Sequence, residues 1–304
     1  MLTKTTLATY GILTSAIVRA YPPLEIRASS FSFTSGNNTE AFWSAINEYY
    51  WFQQVVCEGG GAAYDNIIPT GGSFLFNTEI EMPFKSSEEI KELLQPMFNA
   101  FNESGIFVAN PEPRPSQRWI LPTARDVRPG NTKFASRLFP RKFWRDKEAF
   151  HQMMVPVRDA VEGGYVFHGI HMWAKKPDGI GDNGVNAAFR ESQMHTDLFD
   201  SVPPTTVPRD EFEEANTRFE SYMNAIRAAT PGGGAYYNEA DTQEPKWQES
   251  FFGRDNYKRL LNIKKKRDPW SVFWAPQTVG SEGWEIKSDD YFPSQNGPLC
   301  RVKQ

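Results

Sequence analysis

The residues of this chain best suited to chemistry cluster in one short run, Ala235-Tyr236-Tyr237-Asn238-Glu239-Ala240-Asp241. A carboxylate such as Glu239, if partly desolvated, has a raised pKa and can accept a proton or position a substrate. It can equally hydrogen-bond the loop on which it sits. If the run is extended, Tyr236 and Tyr237 point to opposite sides, one phenol toward a cleft and the other toward a core. Asp241 reads as a cap or brace for the following turn. Four histidines, His151, His168, His171 and His195, are the other candidate bases or ligands. His168 and His171 lie three apart on an expected strand and so face opposite ways, a poor geometry for sharing a metal ion. No metal site is expected, although His168 could lie on a substrate-facing side of the sheet. A Ser-His-Asp hydrolase lacks its G-x-S-x-G elbow.

Composition narrows the class. The chain has 304 residues, 39% hydrophobic and 23% charged, which suits one large or two small cores rather than disorder. Aromatics reach 14%, including 23 Phe; they supply packing faces and would also suit a flat ligand. A net charge of −4 leaves no basic footprint for nucleic acid. Only two cysteines occur, Cys57 and Cys300, too few for a disulfide scaffold or a Cys-rich metal centre, and their pairing stays open. No run reaches the roughly 18 apolar residues that span a bilayer. Met1 to Ala20 is broken by Thr3, Thr5, Thr6, Thr9, Thr14 and Ser15, a weak centre for a secretory signal. Secreted and cytoplasmic locations both stay open, the former suiting the sequons at Asn37 and Asn102.

These candidates must be positioned by elements that the pattern outlines. Alternation predicts strands over 8–21, around Ser30–Phe33, over 73–82 and over 165–173. Helical spacing predicts helices over 40–56, from Ser86 through Phe101 with Ser86 and Glu89 as a capping box, over 147–161, over 212–229 and over 255–267. Gly59-Gly60-Gly61 follows a helix, so it reads as a C-cap and turn rather than a phosphate cradle. Asn110 to Pro122 and Asp178 to Asn186 read as loops. Strands and helices in this order predict an α+β architecture, a mainly antiparallel sheet with helices over one face and an added C-terminal segment.

A spaced series of matches adds to this reading. The run Ala235–Asp241 is followed by Asn256-Tyr257-Lys258-Arg259-Leu260-Leu261, Lys266-Arg267-Asp268-Pro269, Phe273 and Val279-Gly280-Ser281-Glu282-Gly283-Trp284. In this order they resemble the C-terminal signature of the berberine-bridge-enzyme-like flavoproteins, a fungal-type branch of the vanillyl-alcohol-oxidase superfamily of FAD-linked oxidases. Thr9 to Pro22 resembles the last strand of that family's FAD domain, Ser136 to Arg141 a family turn, and Gly184 to Arg190 a further family segment.

The resemblance implies an FAD-dependent oxidoreductase that removes a hydride from a small organic substrate, in fungal secondary metabolism or alkaloid biosynthesis. It divides the chain into 1–25, the last strand of an FAD-binding domain, 26–230, a substrate domain, and 231–304, a C-terminal segment packing toward the flavin. Glu239 stands where plant relatives carry a tyrosine treated as a candidate base, so Glu239 and Tyr237 are the implied catalytic residues. Tyr236 and Asn238 match family residues implied to hold the cofactor. FAD is the implied cofactor, but its covalent attachment motif and glycine-rich pyrophosphate loop are not found in these 304 residues. A truncated product, or one part of a split enzyme partnered by a separately encoded FAD domain, is therefore expected. The rival expectation is a flavin-free remnant or binding protein. Either way, the strand around Ile12 to Val18 and the helix face with Tyr257 and Leu261 are expected to be exposed. The substrate and oligomeric state are not written in the sequence.

Overall fold

Alternating burial along Ile26–Thr34 (β1) sends Phe31 and Phe33 to one face and leaves Ser30, Ser32 and Thr34 on the other, as the period of two in a half-buried strand requires. In the computed structural model, which describes all residues except 1–6, 13, 16, 18–21, 117–132, 177, 180, 182, 201–206, 240, 288–296 and 303–304, β1 belongs to a seven-stranded sheet. Its other members are Ala62–Pro69 (β2), Phe74–Pro83 (β3), Arg114–Pro115 (β4), Lys133–Pro140 (β5), Val166–His171 (β6) and Ser192–Asp200 (β7). The order is β4-β1-β3-β2-β6-β7-β5, and neighbouring strands are antiparallel.

The helices are Leu7–Tyr10 (α1), Thr39–Glu58 (α2), Ser87–Glu103 (α3), Lys147–Glu162 (α4), Ala187–Arg190 (α5), Arg209–Ala229 (α6), Trp247–Phe252 (α7) and Arg254–Arg267 (α8). Helices α2, α3, α4 and α6 bury their apolar stripes on one face of the sheet, where Phe42, Tyr49, Phe98, Phe101, Phe150 and Phe219 join Phe76 and Phe167. Each such side chain contributes roughly 1.5–3 kcal/mol through burial. The capping box forms as expected: Glu89 N donates to Ser86 Oγ at 3.2 Å and Ser86 N donates to Glu89 Oε2 at 2.7 Å. Helix α2 ends at Gly59, and a Cβ on Gly61 would stand 2.3 Å from Met82 Sδ and 2.8 Å from the Glu81 carbonyl. That run is therefore a helix stop and a close approach of backbone.

Inside this layer lies a buried polar knot. Asp65, on β2, accepts hydrogen bonds from the phenols of Tyr49 (3.3 Å) and Tyr50 and from His171 Nε2 (2.9 Å), all of them fully buried. His171 thus faces the helices while His168 faces away, the opposite-face arrangement expected from their spacing.

The C-terminal segment builds a second cluster from Ala235, Phe251, Phe252, Tyr257, Leu260 and Val279. Lys264 is buried and donates to Asp268 Oδ2 (2.6 Å), to the Phe273 carbonyl (2.6 Å) and to the Thr9 carbonyl in α1. Trp284–Ile286 (β8) and Leu299–Arg301 (β9) pair separately.

Three expectations change. Leu7–Tyr10 forms a helical turn, and the described residues among 11–25 lie in no strand; positions 13, 16 and 18–21 of the expected strand lie outside the described residues. A strand exists only where a neighbour completes its hydrogen-bond ladder, and Ile12 and Ile17 have none here and are exposed. Ser136 to Arg141 is mostly strand β5 rather than a turn. Tyr257 is buried, its phenol donating to Glu282 Oε2 at 2.6 Å, because α7 and the segment around Val279 cover that face of α8. Cys57 and Cys300 are both free. The end of the Pro-rich stretch, 117–122, and Ala240 are also outside the described residues. Among the described residues, no helix is long and apolar enough to cross a membrane.

Candidate functional site

The face of the sheet opposite the helices carries a row of polar residues set by register. Ser32 pairs with Asn77, Asn77 with Asn66, Asn66 with His168, His168 with Asp197, and Asp197 with Ser136. Paired residues share a face, so six strands place their polar side chains in one line. Asn66 Nδ2 donates to Asn77 Oδ1 at 3.1 Å. His168 Nδ1 lies 2.6 Å from the Asp65 carbonyl, which can only accept, so Nδ1 carries the proton. A cleft of about 620 Å³ opens over this row, lined also by Tyr64, Phe134, Phe199 and Glu239.

The C-terminal run is delivered to the cleft by the edge of the sheet. Strand β5 is outermost, and its Leu138 N donates to the Gly234 carbonyl at 2.8 Å. A Cβ on Gly233 would lie 2.4 Å from the Leu138 carbonyl, so only glycine permits this approach. Tyr236 N donates to Ser136 Oγ at 2.9 Å, and Ser136 Oγ donates back to the Tyr236 carbonyl at 3.2 Å. The following residues, Tyr237–Glu239, make a short 3-10 turn.

This geometry separates the residues that the sequence singled out. Glu239 reaches the cleft. The Tyr236 ring stands edge-on to His195 at 5.4 Å and packs near Phe189, and its hydroxyl accepts from Asn238 Nδ2 at 2.7 Å. Asn238 is exposed at the rim. Tyr237, expected as catalytic, turns into the second cluster against Phe251 and Phe252, and its phenol donates to the Pro276 carbonyl at 3.2 Å. Burial raises its pKa. The two tyrosines diverge, Tyr237 into a core and Tyr236 beside His195, but Tyr236 is not among the residues that line the cleft. Asp241 braces the turn as expected: its Oδ1 accepts from Gln243 N at 2.9 Å, and Lys133 lies 3.6 Å from its Oδ2.

Two residues were missed as a pair. His195 and Asp197 lie two apart on β7 and therefore share the open face. Both are nearly buried, at 5% and 4% exposure, and neither His195 Nε2 nor Asp197 Oδ1 has a hydrogen-bond partner. The two atoms are 3.7 Å apart, and His195 Nε2 is 3.5 Å from Glu239 Oε2; the wider contact is beyond hydrogen-bond reach. Burial, assisted by the charge of Glu239, pushes the Asp197 carboxyl up to about 8. Burial, assisted by His168, pushes the His195 imidazole down to about 3. At neutral pH the first is therefore mostly protonated and the second is neutral, so they form no ion pair. The available sequence signal was the i, i+2 spacing of His195, Asp197 and Phe199.

Residues 235–280 match the Berberine and berberine like family. The chain is 29% identical over 314 residues to the FAD-linked oxidoreductase patO of Aspergillus clavatus, covering 97% of this chain and 50% of that protein. It is 28% identical to the FAD-linked oxidoreductase ZEB1 of Gibberella zeae, covering 96% and 50%. The crystal structure of the VAO-type flavoprotein MtVAO615 from Myceliophthora thermophila superposes with a TM-score of 0.74 at 24% identity, covering 92% of this chain and 50% of that one. The chain is thus a homologue of fungal FAD-linked oxidoreductases with a berberine-like C-terminal segment and the α+β fold of the VAO-type flavoproteins. It spans about half the length of the curated relatives it matches.

Proposed function

We propose that the polar face of this sheet is the substrate-side wall of an FAD-linked oxidoreductase acting on a small organic molecule, with Asp197 as the proton acceptor. The observation that carries this reading is the buried, unpartnered Asp197 Oδ1 lining the cleft, with the carboxyl held at about 8. A base whose pKa lies near the working pH combines a useful ionised fraction with a strong pull on the proton.

The residues present suit the reacting end of a flavin. Phe134, Phe199 and Tyr64 offer flat rings beside the polar row, a lining suited to a planar ring system. The nucleotide end would be held by an FAD domain, in the same polypeptide or separately encoded. When bound, FAD supplies two-electron acceptance. This chain's residues would do the remainder: Asn66, Asn77 and His168 bind the substrate's polar groups, and ionised Asp197 takes a proton at Oδ1. Glu239, whose charge helps set the Asp197 pKa, flanks the same substrate. A place in fungal secondary metabolism or alkaloid biosynthesis is part of the same proposal.

The test is direct. Titrating FAD into the purified chain should quench flavin fluorescence as the ring meets the aromatic wall. Turnover of an oxidisable substrate should rise with pH through about 8 and fall roughly 10²–10⁴-fold in D197N, the range for loss of a general base. Flavin fluorescence that stays unquenched when the chain is joined to an FAD-binding domain would overturn the reading in favour of a flavin-free protein.

A further inference from the structure

We propose that His195, Asp197 and Glu239 form a three-ligand site for a divalent transition-metal ion of the zinc and cobalt class, its fourth position open to the cleft. One donor atom from each residue lies within 4.8 Å of the others. The two measured separations, 3.5 and 3.7 Å, are at or beyond the limit for hydrogen bonds. They are close to what a tetrahedral ion demands, since ligand bonds of about 2.0–2.2 Å place neighbouring donors about 3.3–3.6 Å apart.

The second observation is independent of that spacing. His195 Nε2 and Asp197 Oδ1 are buried without a hydrogen-bond partner, and a buried polar atom left unmatched costs free energy. Both aim at the point that Glu239 Oε2 approaches, so a cation there would satisfy both. The ligand frame is stiff: His195 and Asp197 stand on one strand, and Glu239 follows a turn pinned to β5 by the reciprocal Ser136–Tyr236 hydrogen bonds. One imidazole with two carboxylates favours zinc, cobalt or manganese over magnesium and calcium, which prefer all-oxygen shells. The sequence predicts no metal site because His168 and His171 face opposite ways; this triad escapes such local spacing, since two ligands come from a strand and the third from a turn 42 residues beyond Asp197.

This site does not rest on the flavin reading and is measurable without FAD; a bound ion and a transferred proton compete for Asp197 Oδ1, so the metal-bound form is the one in which Asp197 does not act as a base. The chain, stripped with a chelator, is titrated with Co²⁺ by visible absorption and with Zn²⁺ by calorimetry. The expected result is saturable one-to-one binding with the intense d–d bands of low-coordinate cobalt. Affinity should fall at least roughly tenfold in H195A and in E239Q, as loss of a ligand is expected to cost no less than loss of a supporting partner, and stay unchanged in H151A. Glu239 is partly exposed, so E239Q keeps the fold and remains informative if H195A does not. A six-coordinate aqua-type cobalt spectrum, or an affinity unchanged in E239Q, would overturn the proposal.

Discussion

Replacing Asp197 by Asn should stabilise the fold, and by an amount that grows with pH. In the native protein the carboxyl titrates at about 8, against 3.8 for an ordinary aspartate. Because the folded pKa is the higher one, the native state holds a proton that the unfolded chain releases between those values, and stability falls as pH rises through that window. Each pH unit in the window is worth about 1.4 kcal/mol, so the full interval sets a ceiling of about 6 kcal/mol. Asn removes the titration while keeping the shape. Between pH 5 and pH 7 the stability gap between D197N and the parent should therefore widen by up to about 3 kcal/mol, and above about pH 8 it should level off. Urea melts of both proteins at several pH values measure this, with matched m-values as the check on two-state behaviour. A gap that does not change with pH, or one that favours the parent at pH 8, would refute the argument. It would mean that the carboxyl ionises freely inside the cleft wall. The same substitution should abolish the pH-dependent rise in turnover, so stability and function would pull in opposite directions at one residue.

The other predictions concern nearby charges and close approaches. In H195Q the acid limb of the stability profile should soften, because His195 resists protonation down to about 3 while the unfolded imidazole takes a proton at 6.5; at pH 5 the gain should reach about 2 kcal/mol in a thermal or urea melt. Gly169→Ala places a Cβ 2.7 Å from both carboxyl oxygens of Asp65, so it should lower stability by about 1–3 kcal/mol, measured by urea melts. Lys264→Met leaves Asp268 buried without its ammonium. Because Asp268 keeps its bonds from Val272 N and Phe273 N, the substitution should cost about 1–3 kcal/mol and speed proteolysis near Thr9, whose carbonyl Lys264 holds.

Much of the helical layer was legible because its signals are local. Ser86 with Glu89, the apolar stripe from Phe42 to Val56 and the glycines after it each name a helix boundary from neighbouring residues alone. The strands were legible only where alternation was clean, as at Ser30–Phe33 and Ser73–Met82. Strands β5 and β7 carry buried polar residues, among them Ser136, Arg137, His195, Thr196 and Asp197, so their hydropathy does not alternate. What holds Arg137 inside is remote in sequence: its Nε and NH2 groups donate to Thr230 at 2.8 Å each.

The candidate site follows the same division between local and distant information. Glu239 lies in a dense polar run that the sequence displays, whereas Tyr237 points into the second cluster because a 3-10 turn, not a strand, sets its direction. Asp197 was invisible because nothing beside it in sequence marks it. Its pKa arises from burial beneath a turn 42 residues away and from the charge that turn carries. The sheet register aligns His168 with Asp197 and Asp197 with Ser136, and Ser136 in turn pins the backbone of Tyr236. The chemistry of the cleft thus depends on β5 being the outermost strand. Any change that blocks the approach of Gly233 to Leu138 should move Glu239 away and let the Asp197 pKa fall toward its ordinary value, since Glu239's charge is part of what raises it. Glu239→Gln, which removes the charge and leaves the turn in place, read by carboxyl NMR titration of Asp197, is the experiment that separates this coupling from burial alone: an Asp197 pKa still near 8 would show that burial suffices.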